Sequence, residues 1–291
     1  MENSIFLGFN RAIYLWLLRA MLKRAAVAAA VCLALAAQEP PQQPPSPPPT
    51  PGQPVSPVFE YDGKPITLPF HCSLDDMQWA GMSCSEDEPC PLYLELTSIE
   101  AVGERVLAAG NIHSESVTLY SVLLTSGDGG HSWQVAPDSL RGAGLDRIQF
   151  VDGLTGWVAG QTLFPIPQDP FFLLTADGGK SWRLQPIFGD THYGSIQQFW
   201  FDSKTTGELI LDNGPGDVDR YGRYATNDGG ETWSLKEENK KPLQLKRPVV
   251  NAAWRVRADG ATRSYRIEHR TGSQWNTAAA FSVKLPPCKP E

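Results

Sequence analysis

The chain has 291 residues, 41% of them hydrophobic, which is enough for one large domain or two small ones. Its 26 glycines and 25 prolines exceed average usage and indicate a turn-rich fold. The formal net charge of −7 excludes a general nucleic-acid binder, because such a protein needs a dense positive field to hold phosphate.

The N-terminal residues 1–37 have the features of an export signal. Lys23 and Arg24 precede an apolar run, Ala25 to Ala37, that suits a signal peptide but is too short for an ordinary membrane span. Small residues near its end predict cleavage after residue 36 or 37. Residues 1–20 do not fit the pattern of a signal peptide, and a translation start at Met21 would account for them. We therefore expect an extracytoplasmic protein, periplasmic or secreted. The alternative is that the N-terminal segment is not cleaved and anchors the protein in the membrane, which is the one membrane association that we consider.

Residues 38–57 form a proline-rich spacer. Ten prolines fall between residues 40 and 57. Such a stretch cannot build a packed core and is typical of an extended polyproline-type linker. The folded domain is therefore expected to span residues 58–291.

Four cysteines follow the export segment. An even number in an exported protein predicts two disulfides, with three pairings open. We favour Cys84–Cys90 as a local loop closure, which leaves Cys72–Cys288 to join the two ends of the domain. The five histidines are scattered and do not have ligand spacing, so no metal site and no cofactor is expected.

An eight-residue pattern of the form Ser/Thr-x-Asp-Gly-Gly-x-Ser/Thr-Trp occurs three times. Its aspartates are Asp128, Asp177 and Asp228, spaced by 49 and 51 residues. Similarity at the same offset extends upstream, so the repeating unit is about 50 residues long. A degraded fourth copy is expected from Val249 to Leu285, with Arg270–Trp275 in the position of the box but without its aspartate.

The box has the chemistry of a tight turn. The aspartate accepts hydrogen bonds from the backbone N–H groups just ahead of it, and the two glycines allow positive φ. The flanking hydroxyls brace the aspartate, and the tryptophan packs into the core at the start of the next strand. The predicted structural residues are Ser126, Asp128, Gly129, Gly130 and Trp133 in the first box, Thr175, Asp177, Gly178, Gly179 and Trp182 in the second, and Thr226, Asp228, Gly229, Gly230 and Trp233 in the third.

Short alternating stretches on both sides of each box read as strands, and no mature segment shows a long helical period. Several strands per 50-residue unit predict four-stranded blades. We therefore expect an all-β fold, a small β-propeller of about four blades, with five as the alternative, in which each blade has four strands and an Asp-box hairpin. Val58 to Phe70 is expected to pair in the blade that contains Phe281 to Leu285, closing the ring beside Cys72–Cys288.

The repeat resembles the Asp-box (BNR) repeat of sialidases and related propellers, the sialidase-like superfamily. The fuller unit, Ile148–Gly160 followed by Thr175–Trp182, is most similar to propellers of the photosystem II stability/assembly factor family. The resemblance covers residues 98–237 well and 249–288 poorly. It implies a propeller that helps another protein fold or assemble. It says little about function otherwise, because one fold hosts many activities.

Resemblance to sialidases implies three arginines, a Tyr–Glu pair and an acidic aspartate. The Arg-Ile-Pro motif of that family is absent, and no spacing among the candidate residues singles out a triad. These candidates are Arg141, Arg147, Arg183, Arg220, Arg223, Tyr221, Tyr224 and Glu208. No catalytic residue is therefore assigned. We expect an exported, non-catalytic protein-binding or assembly module, with a glycan-binding or glycoside-hydrolase propeller as the alternative.

Two further segments allow a binding interpretation beside a structural one. Residues 236–270 hold ten basic and four acidic side chains, a charge of +6. Trp254, Tyr265 and Trp275 alternate there with arginines, as in a surface for a sugar acid, a peptide carboxylate or a nucleic acid, or as in a strand with core tryptophans and outward arginines. Asp212–Asp219 reads as a calcium loop or as an ordinary connection.

Overall fold

The computed structural model describes residues 57–137, 139–163, 166–215, 219–248 and 252–290. The predicted export segment and the spacer lie outside this part of the chain, except for Pro57. Four antiparallel sheets and one short helix make up the described fold. The expected all-β propeller fold, with about four blades, is confirmed. No helix in these ranges is long or apolar enough to cross a membrane.

Blade 1 combines both ends of the described chain. Its strands are β1 (Phe59–Glu60), β2 (Cys90–Val102), β3 (Arg105–His113), β4 (Thr118–Ser126), β5 (Ser132–Val135) and β17 (Lys284–Cys288). β2 to β5 follow one another as neighbours, β1 pairs with β5 on the outer edge, and β17 pairs with β2 on the inner edge. The two termini of the domain thus enlarge this blade to six strands.

Blades 2 and 3 are four-stranded sheets in which each strand pairs with the next. Blade 2 contains β6 (Ala143–Phe150), β7 (Gly156–Thr162), β8 (Gln168–Thr175) and β9 (Arg183–Pro186). Blade 3 contains β10 (Ser195–Phe201), β11 (Gly207–Asp212), β12 (Tyr221–Thr226) and β13 (Ser234–Asn239). In blades 1 to 3 the Asp-Gly-Gly turn joins the third and fourth strands, so one 50-residue repeat is one blade.

Blade 4 differs from the repeat unit expected there. It has three strands, β14 (Trp254–Asp259), β15 (Ser264–Thr271) and β16 (Gln274–Ser282). The segment Arg270–Trp275 forms the turn between the second and third strands, whereas a box would join the third and fourth. No fourth strand follows in this sheet, because the chain passes after Ser282 into β17 of blade 1.

The ring closure follows the expected pairing only in part. The Ile66 N–H donates to the Ala280 carbonyl at 2.8 Å, and the Ile66 carbonyl accepts from the Ser282 N–H at 2.8 Å. Residues near Ile66 therefore bond to the edge of β16. β1, however, joins blade 1, and Leu285 lies opposite Leu92 of β2, so the expected single pairing is divided between two blades.

Both disulfides lie where the N-terminal segment meets blade 1. Cys72 is bonded to Cys288, 216 residues away, and Cys84 is bonded to Cys90. Cys288 also lies opposite Cys90 between β17 and β2, so the two bonds are adjacent. Together they tie the first and last described segments to the same strand.

One short helix, α1 (Leu74–Trp79), packs on blade 1. Its first turn is capped by Ser73, whose hydroxyl accepts a hydrogen bond from the Asp76 N–H at 3.1 Å. Arg141 lies on the connection between blades 1 and 2, and its guanidinium pairs with Asp75 and with Asp76, both at 2.7 Å. The Tyr120 hydroxyl also donates to Asp76 at 2.7 Å, so this carboxylate anchors the helix to the sheet.

Three apolar cores separate the blades. One lies between blades 4 and 1, one between blades 1 and 2, and one between blades 2 and 3. In the last, the rings of Trp157 and Phe201 stack with centroids 3.7 Å apart. Within the described residues, no strand of blade 3 packs extensively on a strand of blade 4. Residues 243–247 instead run beside β10, where Gln198 bonds to Leu243 and Leu245.

Candidate functional site

The first box is a closed hydrogen-bond network around one carboxylate. Asp128 accepts from the Ser132 hydroxyl at 2.7 Å and from the Ser126 hydroxyl at 2.8 Å. The N–H groups of His131 and Ser132 donate to it at 3.1 and 2.9 Å. These bonds, those from Ser132 above all, lower the pKa of Asp128 to about 2.

The second and third boxes repeat this network. Asp177 accepts from the hydroxyls of Ser181 and Thr175, and Asp228 accepts from those of Thr232 and Thr226, all between 2.6 and 2.8 Å. The bonds from Thr232 lower the pKa of Asp228 to about 2. For Asp177, burial raises the pKa, and the hydrogen bonds outweigh this so that the net pKa is lowered.

The glycines of the boxes are required by geometry. All six have φ between +70° and +94°, the left-handed region that side chains disfavour. In the first two boxes the second glycine also meets the preceding blade at close range. A Cβ on Gly130 would lie 2.9 Å from the Trp254 ring, and one on Gly179 would lie 2.7 Å from Leu107.

In the second and third boxes, the carbonyl of the first glycine accepts a hydrogen bond from the blade before it. Arg105 of blade 1 donates to the Gly178 carbonyl at 2.6 Å, and Trp157 Nε1 of blade 2 donates to the Gly229 carbonyl at 2.8 Å. The boxes are thus struts between blades as well as hairpin turns. Both oxygens of each box carboxylate accept hydrogen bonds from the box's own turn.

The tryptophans of the boxes lie in or beside the cores. Trp133 is fully buried, and its Nε1 donates to the Gly130 carbonyl at 3.0 Å. Trp182 and Trp233 pack against the second and third cores, and the Nε1 of each is buried without a partner in the described residues. These rings serve packing.

The site with binding chemistry is a central cavity of about 570 Å³, lined by the inner strands β2, β6 and β10. Each of these strands has a register shift at the same position of the repeat. The shifts fall at Thr97, Asp146 and Gln197, again spaced by 49 and 51 residues. All three residues line the cavity, because a bulge redirects a side chain that regular pairing would place elsewhere.

Burial changes the acidity of two carboxyl groups that line the cavity. It raises the pKa of Glu100 to about 7, and the positive charge of Arg147 only partly offsets the rise. It also raises the pKa of Asp146, against a hydrogen bond from Gln161, and the charge of Glu95 adds to the rise. Both groups are therefore held closer to the neutral form than free carboxylates are.

The cavity also contains a cation, Arg147, whose side chain is exposed to solvent. Partial burial lowers the pKa of Arg147, and the positive charge of Arg247 lowers it further, whereas Glu100 acts in the opposite direction. Within the described part of the chain, no ion pair joins Arg147, Glu100 or Asp146 to an opposite charge. Gln161 adds a buried side-chain oxygen that has no hydrogen-bond partner in these ranges.

Of the eight sialidase-type candidates, only Arg147 lines the central cavity. The other arginines are taken by carboxylates: Arg183 by Glu231, Arg220 by Asp212, Arg223 by Glu208 and Glu237, and Arg141 by the two aspartates of α1. The structure therefore does not bring these arginines together. No sequence pattern singles out Asp146 or Glu100, because the cavity that they line is formed at bulges of the inner strands.

A second concave region, about 650 Å³, is built from loops that the repeat does not specify. Ile166 and Tyr193 on its rim are 52% and 56% exposed. Two of its lining residues form a bidentate ion pair, in which Arg220 donates two hydrogen bonds of 2.6 Å to Asp212. Asp212 is the first aspartate of the segment Asp212–Asp219, for which the sequence allows a calcium loop, and here it is paired with Arg220. Among the described residues, no group of three or more metal-ligating side chains occurs.

Blades that meet around a central cavity define the fold as a β-propeller. No protein-family model matches the chain, and no curated protein matches it significantly. The structure of YCF48 bound to D1 peptide is similar, with 20% identity and a TM-score of 0.38 over 65% of this chain and 56% of that chain. YCF48 from Cyanidioschyzon merolae has 17% identity and a TM-score of 0.35 over 65% and 57%. The chain thus spans less than two thirds of those structures.

Proposed function

We propose that the protein is an exported, non-catalytic propeller that binds a segment of a partner polypeptide in its central cavity. The observation that carries this proposal is that Glu100, Asp146 and Arg147 line an open cavity of about 570 Å³ without an ion pair to any charge among the described residues. This volume lies within the usual range of binding pockets.

Charged groups without an ion pair lower the stability of the fold unless a ligand supplies the missing hydrogen bonds or opposite charge. A buried charge without a partner is costly, and two partly buried carboxyl groups approach that condition here, beside the exposed guanidinium of Arg147. The inner strands could carry apolar residues at these positions without such a cost. Retention of the three groups is therefore more easily explained by binding than by folding.

The available donors and acceptors suit a polypeptide. The Arg147 guanidinium donates to carbonyl or carboxylate oxygens, and a carboxyl group near neutrality both donates and accepts. The exposed Gln197 adds an amide with both capacities. Main-chain amide groups of a chain end or loop present the same alternation of N–H and C=O.

Hydrolysis of a glycan is less well supported. A two-carboxylate glycosidase keeps one carboxylate ionised while the other carries a proton. Here the pKa values of both carboxyl groups lining the cavity are raised, so the environment does not separate their roles. Export is part of the same proposal, and the two disulfides support it, because such bonds persist in oxidising compartments.

The test is affinity capture from the extracytoplasmic fraction of the source cells. The purified protein, the variant Arg147→Gln and the control variant Lys236→Gln are compared, since Lys236 is an exposed residue of the outer strand β13. We expect one polypeptide to be retained by the first and third and lost with Arg147→Gln. No polypeptide that distinguishes the two variants, or release of sugar from a sialoside substrate, would overturn the proposal.

A further inference from the structure

Blade 4 carries a row of arginines on the face that points away from blade 1. The pairing of β14 with β15 fixes the two faces, because Trp254 and Val256 pack on the core toward blade 1. The alternate positions therefore point outward. The outward arginines are Arg255, Arg257, Arg266 and Arg270.

Two acidic residues share this face and pair with two of the arginines. Arg255 Nε donates to Glu268 at 2.6 Å, and its guanidinium lies 4.2 Å from the centroid of the Trp275 ring. Arg266 forms an ion pair with Asp259. Four arginines against two acids leave the face with a charge of +2.

Two arginines of the row, Arg257 and Arg270, form no ion pair with a carboxylate within the described ranges. Arg270 lies over the Trp275 ring, 5.7 Å from its centroid, whereas Arg257 is exposed. The cross-strand neighbour of Arg257 is Arg266, so two like charges lie directly opposite each other. Such pairs destabilise a sheet, and a carboxylate from outside would relieve this one.

The same strand has a free edge. Among the described strands β14 pairs only with β15, so its other edge presents unpaired N–H and C=O groups. The middle of the strand, at Arg257 and Ala258, is exposed. An extended peptide can add to such an edge by main-chain hydrogen bonds. Its alternate side chains, about 7 Å apart, would then lie beside the outward residues of β14.

We propose that an extended acidic peptide segment adds as a strand to the free edge of β14, with a carboxylate placed beside Arg257. The edge supplies the main-chain bonds, and the arginine row selects the charge. Arg257 does not line the central cavity, although Ala252, two residues before β14, does. The proposal rests on Arg257 and can therefore be correct whether or not the cavity binds a polypeptide.

The test uses fluorescence anisotropy with a labelled ten-residue peptide of alternating Glu and Thr and with its Gln/Thr twin. We expect the Glu peptide to bind the protein and its Lys236→Gln control equally. Binding should be at least about fivefold weaker for the Gln twin and for Arg257→Gln, and it should weaken as salt is raised. Hydrogen exchange should show protection of the amides of Trp254–Asp259 when the Glu peptide is present.

Three results would overturn this proposal. The first is equal binding of the two peptides, or binding that Arg257→Gln leaves unchanged. The second is charge-dependent binding without protection of β14, or binding abolished by Arg147→Gln, which would place the peptide elsewhere. The third is binding of a sulfated polysaccharide to this face when the acidic peptide does not bind. The peptide twin needs no variant, so the outcome does not depend on the folding of Arg257→Gln.

Discussion

Replacing Glu100 by glutamine should make the protein more stable in a pH-dependent way. The folded protein raises the pKa of this carboxyl group from 4.5 to about 7, mainly by burial. An acid with a raised pKa stabilises the fold least when it is ionised. The wild-type protein therefore loses stability as pH rises through this interval, whereas the Glu100→Gln variant does not.

The magnitude follows from the two pKa values. Each unit of difference corresponds to about 1.4 kcal/mol, so the ionised carboxylate costs at most about 3 kcal/mol above pH 7. At pH 5 most of this cost is absent. The stability difference between Glu100→Gln and wild type should therefore grow by about 2 kcal/mol between pH 5 and pH 8. The lost attraction to Arg147 reduces the gain without reversing it.

Urea unfolding at pH 5 and pH 8 measures this difference, with the midpoint and slope fitted at each pH. The control is Glu115→Gln, because Glu115 is an exposed loop residue. Its stability difference from wild type should be the same at both pH values. If Glu100→Gln also shows no change between pH 5 and pH 8, the cavity does not hold Glu100 in the state described.

Three other predictions concern the architecture. Asp228→Asn should cost about 1 kcal/mol at pH 7, less than its full pKa shift implies because the group is exposed, and this difference should vanish between pH 4 and pH 2, as urea midpoints would show. Trp157→Phe should cost about 1–3 kcal/mol by leaving the Gly229 carbonyl unpaired, and Trp233→Phe, whose Nε1 has no partner, should cost less; equal losses would argue against the strut. Removing Cys72–Cys288 as a pair should cost about 4 kcal/mol and removing Cys84–Cys90 about 2, because the first bond closes a far longer loop; calorimetry with the opposite ranking would contradict this.

The local parts of the fold could be read from the sequence. An Asp-Gly-Gly turn depends on residues within eight positions. The residues that predict the turn are therefore the same residues that form its hydrogen bonds. The spacing of Asp128, Asp177 and Asp228 then set the length of a blade. The structure also contains the two cysteine pairs that were favoured, one of which is a local closure of the same kind.

The long-range pairings could not be read in this way. β17 joins β2 across almost the whole domain, and nothing in Lys284–Cys288 specifies that partner. Arg270–Trp275 resembles an Asp-box without its aspartate but forms a different turn, because blade 4 lacks the fourth strand that follows a box in the other blades. The central cavity depends on bulges, which the alternation of apolar residues does not encode.

The alternating aromatic residues and arginines of blade 4 allow two interpretations, core aromatics with outward arginines or an exposed surface of both, and each holds for part of the blade. Trp254 and Tyr265 pack against the core, as expected for ordinary strands. Trp275 lies instead with Arg255 on the outward face. Whether a tryptophan of blade 4 faces the core or points outward depends on the register of its strand. That register is set by pairing with other strands and not by the local sequence.

The most direct test of the central claim is site-specific photo-crosslinking in the source cells. A photoreactive residue replaces Gln197, which lines the cavity, or Leu235, which is 47% exposed on the outer strand β13. Binding in the cavity predicts a crosslink to one polypeptide from position 197, absent from position 235 and lost when Arg147→Gln is added. A crosslink equally strong from both positions, or none from position 197, would contradict the proposed function.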